Sequence, residues 1–346
     1  MPLFLQIDQM ARGGSIALFL LWSWILLRDH RGLLAARIAV AMNLAIIGYL
    51  LATAAWSFDR SPSRFVLSLV GGSTPGLFWL FARTWFNDRQ SLERWALALI
   101  ALSILNIMIM QLTFEGNQTI HIIAGTIFRL GMFGFAAAGL WEAWRGRQGD
   151  LVEIRRRMRP RIVAAVGIYV ILIAFAEIAV YTYGAPRWIA RTVGSSIAVI
   201  TLLFCVAMFG MRHADLFGAV LKPANSGPPV QIDQALTAKL LGYMQDVLPH
   251  RDEEMTIAKL AAQLGEQEYR LRRHINGSMG YRNFAAFLNR YRLAEVKAAL
   301  ADPSQKDVPI ITIALDAGFG SLGPFNRAFR DAEGMTPSEY RRLNLR

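Results

Sequence analysis

Residues 38–58 have the sequence IAVAMNLAIIGYLLATAAWSF, twenty-one consecutive positions without a charged side chain. A helix needs about 20 apolar residues to cross the hydrocarbon core of a bilayer. This stretch is therefore long enough and apolar enough to predict one membrane-spanning helix.

Six more apolar segments lie before residue 212, so the stretch is not isolated. Two such segments would be compatible with buried helices of a soluble protein. Seven at regular spacing, separated by short charged loops, predict a membrane domain over residues 1–221. The six are 13–27, which residues 7–10 extend, 65–82, 95–114, 116–141 with Arg129 as its only charge, 162–186 with Glu177 as its only charge, and 192–211.

Charge is distributed unevenly along the chain. Residues 1–230 hold 21 basic and 11 acidic side chains, whereas the 116 residues that follow hold 16 and 14. The net charge of +12 therefore lies mostly in the apolar part and is not by itself an argument for nucleic acid. The single cysteine, Cys205, excludes a disulfide scaffold and a multi-cysteine metal site.

Arginine placement predicts the orientation of the membrane domain. The loops at 28–31, 87–94 and 145–161 carry eleven arginines, and those on the opposite side carry five. Arginine-rich loops face the cytoplasm, so seven spans place the N-terminus outside and the C-terminus inside. The arginine cluster at 155–161 is interpreted as part of this signal against anionic lipid, not as a nucleic-acid patch. No cleaved signal peptide is expected, because residues 1–12 lack a basic stretch.

A Pro/Gly/Ser-rich stretch at 222–230 predicts a linker, and a helical soluble domain follows at 231–346. Within that domain Thr256 is a suitable N-cap, Gly265 a suitable helix end, and a second helix is expected at 267–276. Ala261 and Leu271 stand four residues before and six after the glycine. That spacing favours two helices joined by a tight turn.

The same pattern recurs around Gly318, with Ala314 four residues before it, Phe325 seven after it and Ser321 as the expected N-cap of the next helix. The second turn is therefore one residue longer than the first. A helix at 283–301, about 27 Å long at 1.5 Å per residue, separates the two units. Such a helix suits two recognition helices about one DNA turn, roughly 34 Å, apart.

These residues resemble the DNA-binding domain of the AraC/XylS family of transcription regulators, and the apolar front resembles a membrane-bound branch of that family. The resemblance implies an all-α protein: a seven-helix transmembrane bundle followed by a soluble double helix-turn-helix domain. It also implies a bacterial inner-membrane regulator that binds double-stranded promoter DNA and works with RNA polymerase, as a homodimer or otherwise. The matching stretches are LAAQLG at 260–265, FLNRYRL at 287–293, IALDAGFGS at 313–321, FNRAFR at 325–330 and GMTPSEYR at 334–341.

In the first unit, helical geometry places the polar residues Tyr269, Arg272, Arg273 and Asn276 on one side, opposite Leu271 and Ile275. Arginine binds guanine through two hydrogen bonds, and asparagine binds adenine in the same way. The resemblance assigns base reading to Tyr269, Arg272 and Arg273, and Arg270 beside them is expected to meet phosphate. A solvated charged face is the alternative interpretation.

In the second unit, the outward residues are Gly323, Asn326, Arg327 and Arg330. The resemblance assigns base reading to Gly323, Pro324 and Arg327, but the first two have no side chain that reads a base edge. Arg327 is therefore expected to make most of this unit's contact. A contact to phosphate would position the protein without specifying sequence.

Three polar residues inside the predicted spans are candidates for a sensor site: Asn106, Arg129 and Glu177. They lie at similar depth, about 12, 14 and 9 Å from the outer edge. Pro75 is expected to break the third span at mid-depth. Two interpretations stay open, a polar pocket open to the outside and an Arg129–Glu177 pair that locks two spans together.

The leading hypothesis is a one-component regulator that senses a signal in the membrane. The alternatives are a membrane transporter or enzyme with an autoregulatory DNA-binding tail, and a degenerate tail that binds protein. The sequence shows no nucleophile–base motif, no metal-ligand spacing and no glycine-rich phosphate loop. We therefore expect no enzymatic activity, no cofactor and no metal.

Overall fold

The computed structural model is entirely helical over the residues that it describes, apart from an isolated β-bridge between Asp150 and Asn283. The all-α prediction is confirmed for those residues. They are 3–54, 62–87, 91–114, 116–145, 149–152 and 233–345, with a few single positions between 156 and 203.

The chain forms two compact units. The first contains Met1–Arg147 and Ile154–Leu221, and the second contains Gln148–Glu153 and Lys222–Arg346. The short segment Gln148–Glu153 thus belongs to the second unit although its neighbours on both sides belong to the first. Nothing in the sequence pattern predicts this assignment.

Six helices of the first unit are described, and five segments are long and apolar enough to cross a membrane. The segment Pro62–Phe86 is one such candidate, although it contains two helices. The predicted spans at 162–186 and 192–211 lie almost entirely outside the described residues, so the number seven stays a prediction. The helices are α1 (Leu3–His30), α2 (Leu34–Ala52), α3 (Pro62–Gly72), α4 (Thr74–Phe86), α5 (Arg94–Leu112) and α6 (Gln118–Arg145).

The break predicted in the third span is present. Helix α3 ends at Gly72 and α4 begins at Thr74, with Pro75 in the first turn of α4. Proline fits the first turn of a helix, because its missing N–H would have no partner there.

Helix α1 begins at Leu3, a little before the predicted extension over residues 7–10, and its two early charges pair inside the helix. Arg12 Nε lies 2.9 Å from Asp8 Oδ2, and both side chains are buried. Arg12 Nη1 also donates to the carbonyl of Leu50 (2.7 Å) and to Thr53 Oγ1 (2.8 Å) at the end of α2. Pairing lowers the cost of placing charge among apolar helices.

The described residues of the second unit form seven α-helices and two short 3₁₀ helices, Pro249–Arg251 and Pro303–Gln305. The α-helices are α7 (Gln234–Asp246), α8 (Ile257–Gln263), α9 (Glu268–Gly277), α10 (Phe284–Ala301), α11 (Ile310–Asp316), α12 (Leu322–Glu333) and α13 (Pro337–Asn344). Helices α8 and α9 form the first helix pair, α11 and α12 form the second, and α10 runs between them. The bounds of α8, α9 and α10 agree with the predicted helices to within about two residues.

Each helix pair has its own hydrophobic core, and α10 contributes to both. Phe284, Phe287 and Leu288 lie in the first core with α8 and α9. Further along α10, Val296 and Leu300 lie in the second core with α11 and α12. Burying each such side chain contributes roughly 1.5–3 kcal/mol. Helix α10 therefore fixes the two pairs at a set separation.

The two tight turns share one backbone motif. Gly265 and Gly318 both have positive φ, 63° and 92°. In the first turn Glu266 N–H donates to Ala261 O (2.9 Å), and in the second Phe319 N–H donates to Ala314 O (3.0 Å). These are the hydrogen bonds of a Schellman helix end, which satisfies carbonyls that the helix leaves open.

Candidate nucleic-acid interface

The second helix of the first pair, α9, displays two of its predicted contact residues. Leu271 and Ile275 are fully buried in the first core, so the opposite side of α9 faces outward. Tyr269 is 57% exposed there, and Arg273 is exposed. An aromatic ring and a guanidinium on one outward face suit contact with a DNA groove.

Arg272, the third predicted base reader, is only 3% exposed. Its Nη1 donates to the backbone carbonyl of Asp150 at 2.8 Å. Its other terminal nitrogen pairs with Glu268, one turn earlier on α9. In this conformation Arg272 is bound within the unit and is not displayed beside Arg273.

Two further predicted contacts have partners inside the unit. Arg270 Nη1 lies 2.8 Å from Glu266 Oε2, and its other terminal nitrogen pairs with Asp233. The pKa of Asp233 is lowered by the N–H of Leu236 and then by the bond from Arg270. Asn276 Nδ2 donates to the carbonyl of Tyr281 at 2.8 Å and so braces the turn that leads into α10.

In the second pair, α12 displays every polar residue predicted for it. Phe325 and Phe329 are fully buried, which turns the opposite face outward. Ser321 occupies the N-cap position, but its side chain makes no capping hydrogen bond, contrary to the expectation from sequence. The exposed residues are Gly323, Pro324, Asn326, Arg327 and Arg330.

A buried polar network that sequence reasoning missed holds the second turn in place. Arg292 of α10 donates to the carbonyls of His250 (2.7 Å) and Asp252 (2.9 Å), and it lies over the ring of Phe319. His250 Nε2 in turn lies 3.0 Å from Glu295 Oε2. The sequence could have indicated that Arg292 is buried, because it lies at helical spacing between the core positions 288 and 296 of α10.

The candidate sensor residues are only partly described. Asn106 Nδ2 donates to the carbonyl of Ala124 at 3.0 Å and so links α5 to α6. Arg129 is half-buried and lies 3.4 Å from Thr126 Oγ1. Glu177 lies outside the described residues, so its pairing with Arg129 stays a prediction.

A second polar cluster of the first unit was not predicted. Arg83 lies 2.6 Å from Glu93 and 2.8 Å from Glu142, and so joins α4, the residue before α5, and α6. Its guanidinium also lies over the rings of Trp79 and Trp95. Glu142 is 59 residues from Arg83 in sequence, so no local pattern indicated this cluster. Among the described residues no group of acidic, His or Cys side chains has the arrangement of a metal site.

Comparison with known proteins identifies the fold of the second unit. A family described as a helix-turn-helix domain matches residues 260–343. The second unit carries a helix-turn-helix domain. Uncharacterized HTH-type transcriptional regulators from Staphylococcus aureus strains MSSA476 and N315 are each 33% identical over 92 residues. That alignment spans 27% of this chain and 12% of the length of each relative. No solved structure gives a significant match.

Proposed function

We propose that this protein is a membrane-bound transcription regulator that receives a signal in its apolar half and binds promoter DNA through its helix-turn-helix domain. The observation that carries the proposal is the pair of outward faces on α9 and α12, each with an exposed arginine. Five candidate spans in the first unit support the membrane location. The assignment of both helix pairs to DNA, the seven spans and the sensing role belong to this proposal.

The spacing of the two helix pairs suits one face of a duplex. Helix α10 has 18 residues, so it is about 27 Å long. Recognition helices that enter successive major grooves lie about 34 Å apart.

Specific contacts are expected from a small number of side chains. Residues 231–346 have nearly balanced charge, so bulk attraction to phosphate is weak. Tyr269 and Arg273 would contact bases in one groove, and Arg327 would contact a base or a phosphate in the next. A second copy of the chain, RNA polymerase and an inner-membrane signal complete the proposed set of partners.

The experiment is DNA binding by the intact protein in lipid nanodiscs, with a duplex mapped by genomic binding of that protein. Arg273→Ala is expected to cost about 1–3 kcal/mol at the mapped site and to relax base preference there, because it removes a two-bond contact to a base. Arg342→Ala is the matched control, since Arg342 is an exposed arginine of α13, outside both recognition helices. If Arg273→Ala and Arg327→Ala both bind like wild type, α9 and α12 are not the readers.

A further inference from the structure

A short segment from the first half of the sequence is built into the helix-turn-helix unit. We call residues 149–152 the strap. It follows the end of α6 by a few residues, and residues 154–221 after it belong to the first unit. The strap itself belongs to the second unit, more than 80 residues away from α7 in sequence.

The strap pairs with the backbone that enters α10. Leu151 N–H donates to Arg282 O at 3.0 Å, and Phe284 N–H donates to Gly149 O at 2.8 Å. These two bonds flank an antiparallel bridge between Asp150 and Asn283. The segment thus extends the backbone hydrogen bonding of the first helix pair.

The strap also enters the core of the first helix pair. Leu151 is only 2% exposed and belongs to the same hydrophobic cluster as Leu271, Ile275 and Phe287. Asp150 is fully buried, and its Oδ1 accepts a hydrogen bond from Val152 N–H (3.1 Å). Three consecutive side chains of the strap, Asp150, Leu151 and Val152, are buried, and a contact of this short length suits a segment that docks and leaves.

The strap binds Arg272, a residue that the sequence resemblance assigns to base reading. Arg272 donates to the Asp150 carbonyl and pairs with Glu268, whereas Arg273 beside it is exposed. With only 3% of its surface exposed, the Arg272 side chain is covered in this conformation. The conformation therefore withholds one of two adjacent arginines from DNA.

We propose that residues 149–152 are an autoinhibitory strap: docked, they hold Arg272 away from DNA, and released, they return Arg272 to the DNA-facing side of α9. The proposal rests on the proposed function, since it requires α9 to read DNA. The strap is covalently continuous with α6 on one side and with residues 154–221 on the other. A change in the first unit that pulls on either connection would release it, and a signal would thereby increase DNA affinity.

A disulfide lock tests the strap in the intact protein. Asp150→Cys with Asn283→Cys, in a Cys205→Ser background, places two cysteines at facing positions of an antiparallel pair. Such positions have Cα atoms about 4.5 Å apart, within the range of a disulfide. The reduced form of the same variant is the matched control, because it carries the same loss of the Asn283 cap on α10.

The oxidised protein is expected to bind the mapped duplex roughly 5- to 150-fold more weakly than the reduced protein, the range that one two-bond arginine contact supplies. Equal affinity of the oxidised and reduced proteins, or tighter binding by the oxidised protein, would overturn the proposal that the strap inhibits DNA binding. Absence of binding by the wild-type protein to any mapped duplex would instead overturn the proposed function, and the strap with it.

A double-mutant cycle keeps the test decisive if the lock impairs folding. Leu151→Asp disfavours docking by burying a charge. Arg272→Ala should weaken binding by a smaller factor with the native strap than in the Leu151→Asp background, where the loss should be roughly 5- to 150-fold. An equal loss in both backgrounds would show that Arg272 reads DNA regardless of the strap.

Discussion

At the scale of single residues, two glycines with the same backbone role have different surroundings. A Cβ added at Gly265 would meet open space, whereas one added at Gly318 would lie 2.3 Å from the carbonyl oxygen of His250. The two turns are otherwise alike in hydrogen bonding. Comparing alanine substitutions at the two glycines therefore separates the free-energy cost of a left-handed backbone from that of a steric clash.

We expect Gly265→Ala to lower the free energy of unfolding of the helix-turn-helix unit by about 1–2 kcal/mol, the cost of a left-handed conformation with a Cβ. Gly318→Ala should cost more, because the backbone of residues 250–251 must also move. Hydrogen exchange of α8 and α11 in the intact protein measures both. Equal losses at the two positions would contradict the packing described around Gly318.

Buried histidines make the stability of this unit depend on pH. Burial lowers the pKa of His274, whose Nε2 lies 3.0 Å from Thr237 Oγ1, and burial also lowers the pKa of His250. Below the ordinary pKa of about 6.5 the unfolded chain takes up protons first, so the free energy of unfolding falls as the pH falls. The substitution His274→Gln should make the free energy of unfolding depend less steeply on pH.

The measurement is hydrogen exchange of α7 and α9 in wild type and variant at each pH, so that the intrinsic exchange rate cancels. If the free energy of unfolding changes with pH equally in wild type and His274→Gln, the pH dependence comes from other groups, with His250 as the next candidate.

At the scale of elements, local sequence signals predicted most of the second unit. The helix at 283–301 is present as α10, because its apolar positions repeat with helical period and Asn283 caps it. Thr256 caps α8 as expected. The strap was not predictable, because a single Leu151 placed in a distant core leaves no periodic signal. The burial of Arg272 was not predictable for the same reason, because its partner Asp150 is 122 residues away in sequence.

The ends of the candidate spans were less predictable than their centres. The first span was expected to extend past Arg12 to residues 7–10, but the ion pair between Arg12 and Asp8 inside α1 was not predicted. Whether two charges form an ion pair depends on side-chain geometry, and counting apolar residues along the sequence gives no information on that geometry.

Helix α1 provides a test of this pairing. Asp8→Asn or Arg12→Met alone leaves one buried charge, and an isolated charge within a span costs roughly 2.5–3.5 kcal/mol on insertion scales. Each single variant should lower the amount of folded protein in the membrane, and the double variant should recover most of it. If the double variant is as scarce in the membrane as the single variants, Asp8 and Arg12 do not stabilise the protein by neutralising each other.

At the scale of the whole molecule, the account joins a membrane unit to a DNA-binding unit, and this requires a single orientation. A reporter enzyme that is active only outside the cytoplasm should be active when fused after Gly116 and inactive when fused after Gly149, because arginine-rich loops stay in the cytoplasm. Activity in each fusion, normalised to its amount in the membrane, is the measurement. The reverse pattern would place the helix-turn-helix domain on the side without DNA.

The most direct test of the central claim is to crosslink the intact, membrane-inserted protein to the chromosome and sequence the DNA bound to it. The account predicts discrete promoter sites with contacts about one helical turn, roughly 34 Å, apart. It also predicts that Arg273→Ala combined with Arg327→Ala abolishes these sites while the protein stays in the membrane at its normal level. A membrane protein at normal level with no enriched sites, or with the same sites in the double variant, would contradict it.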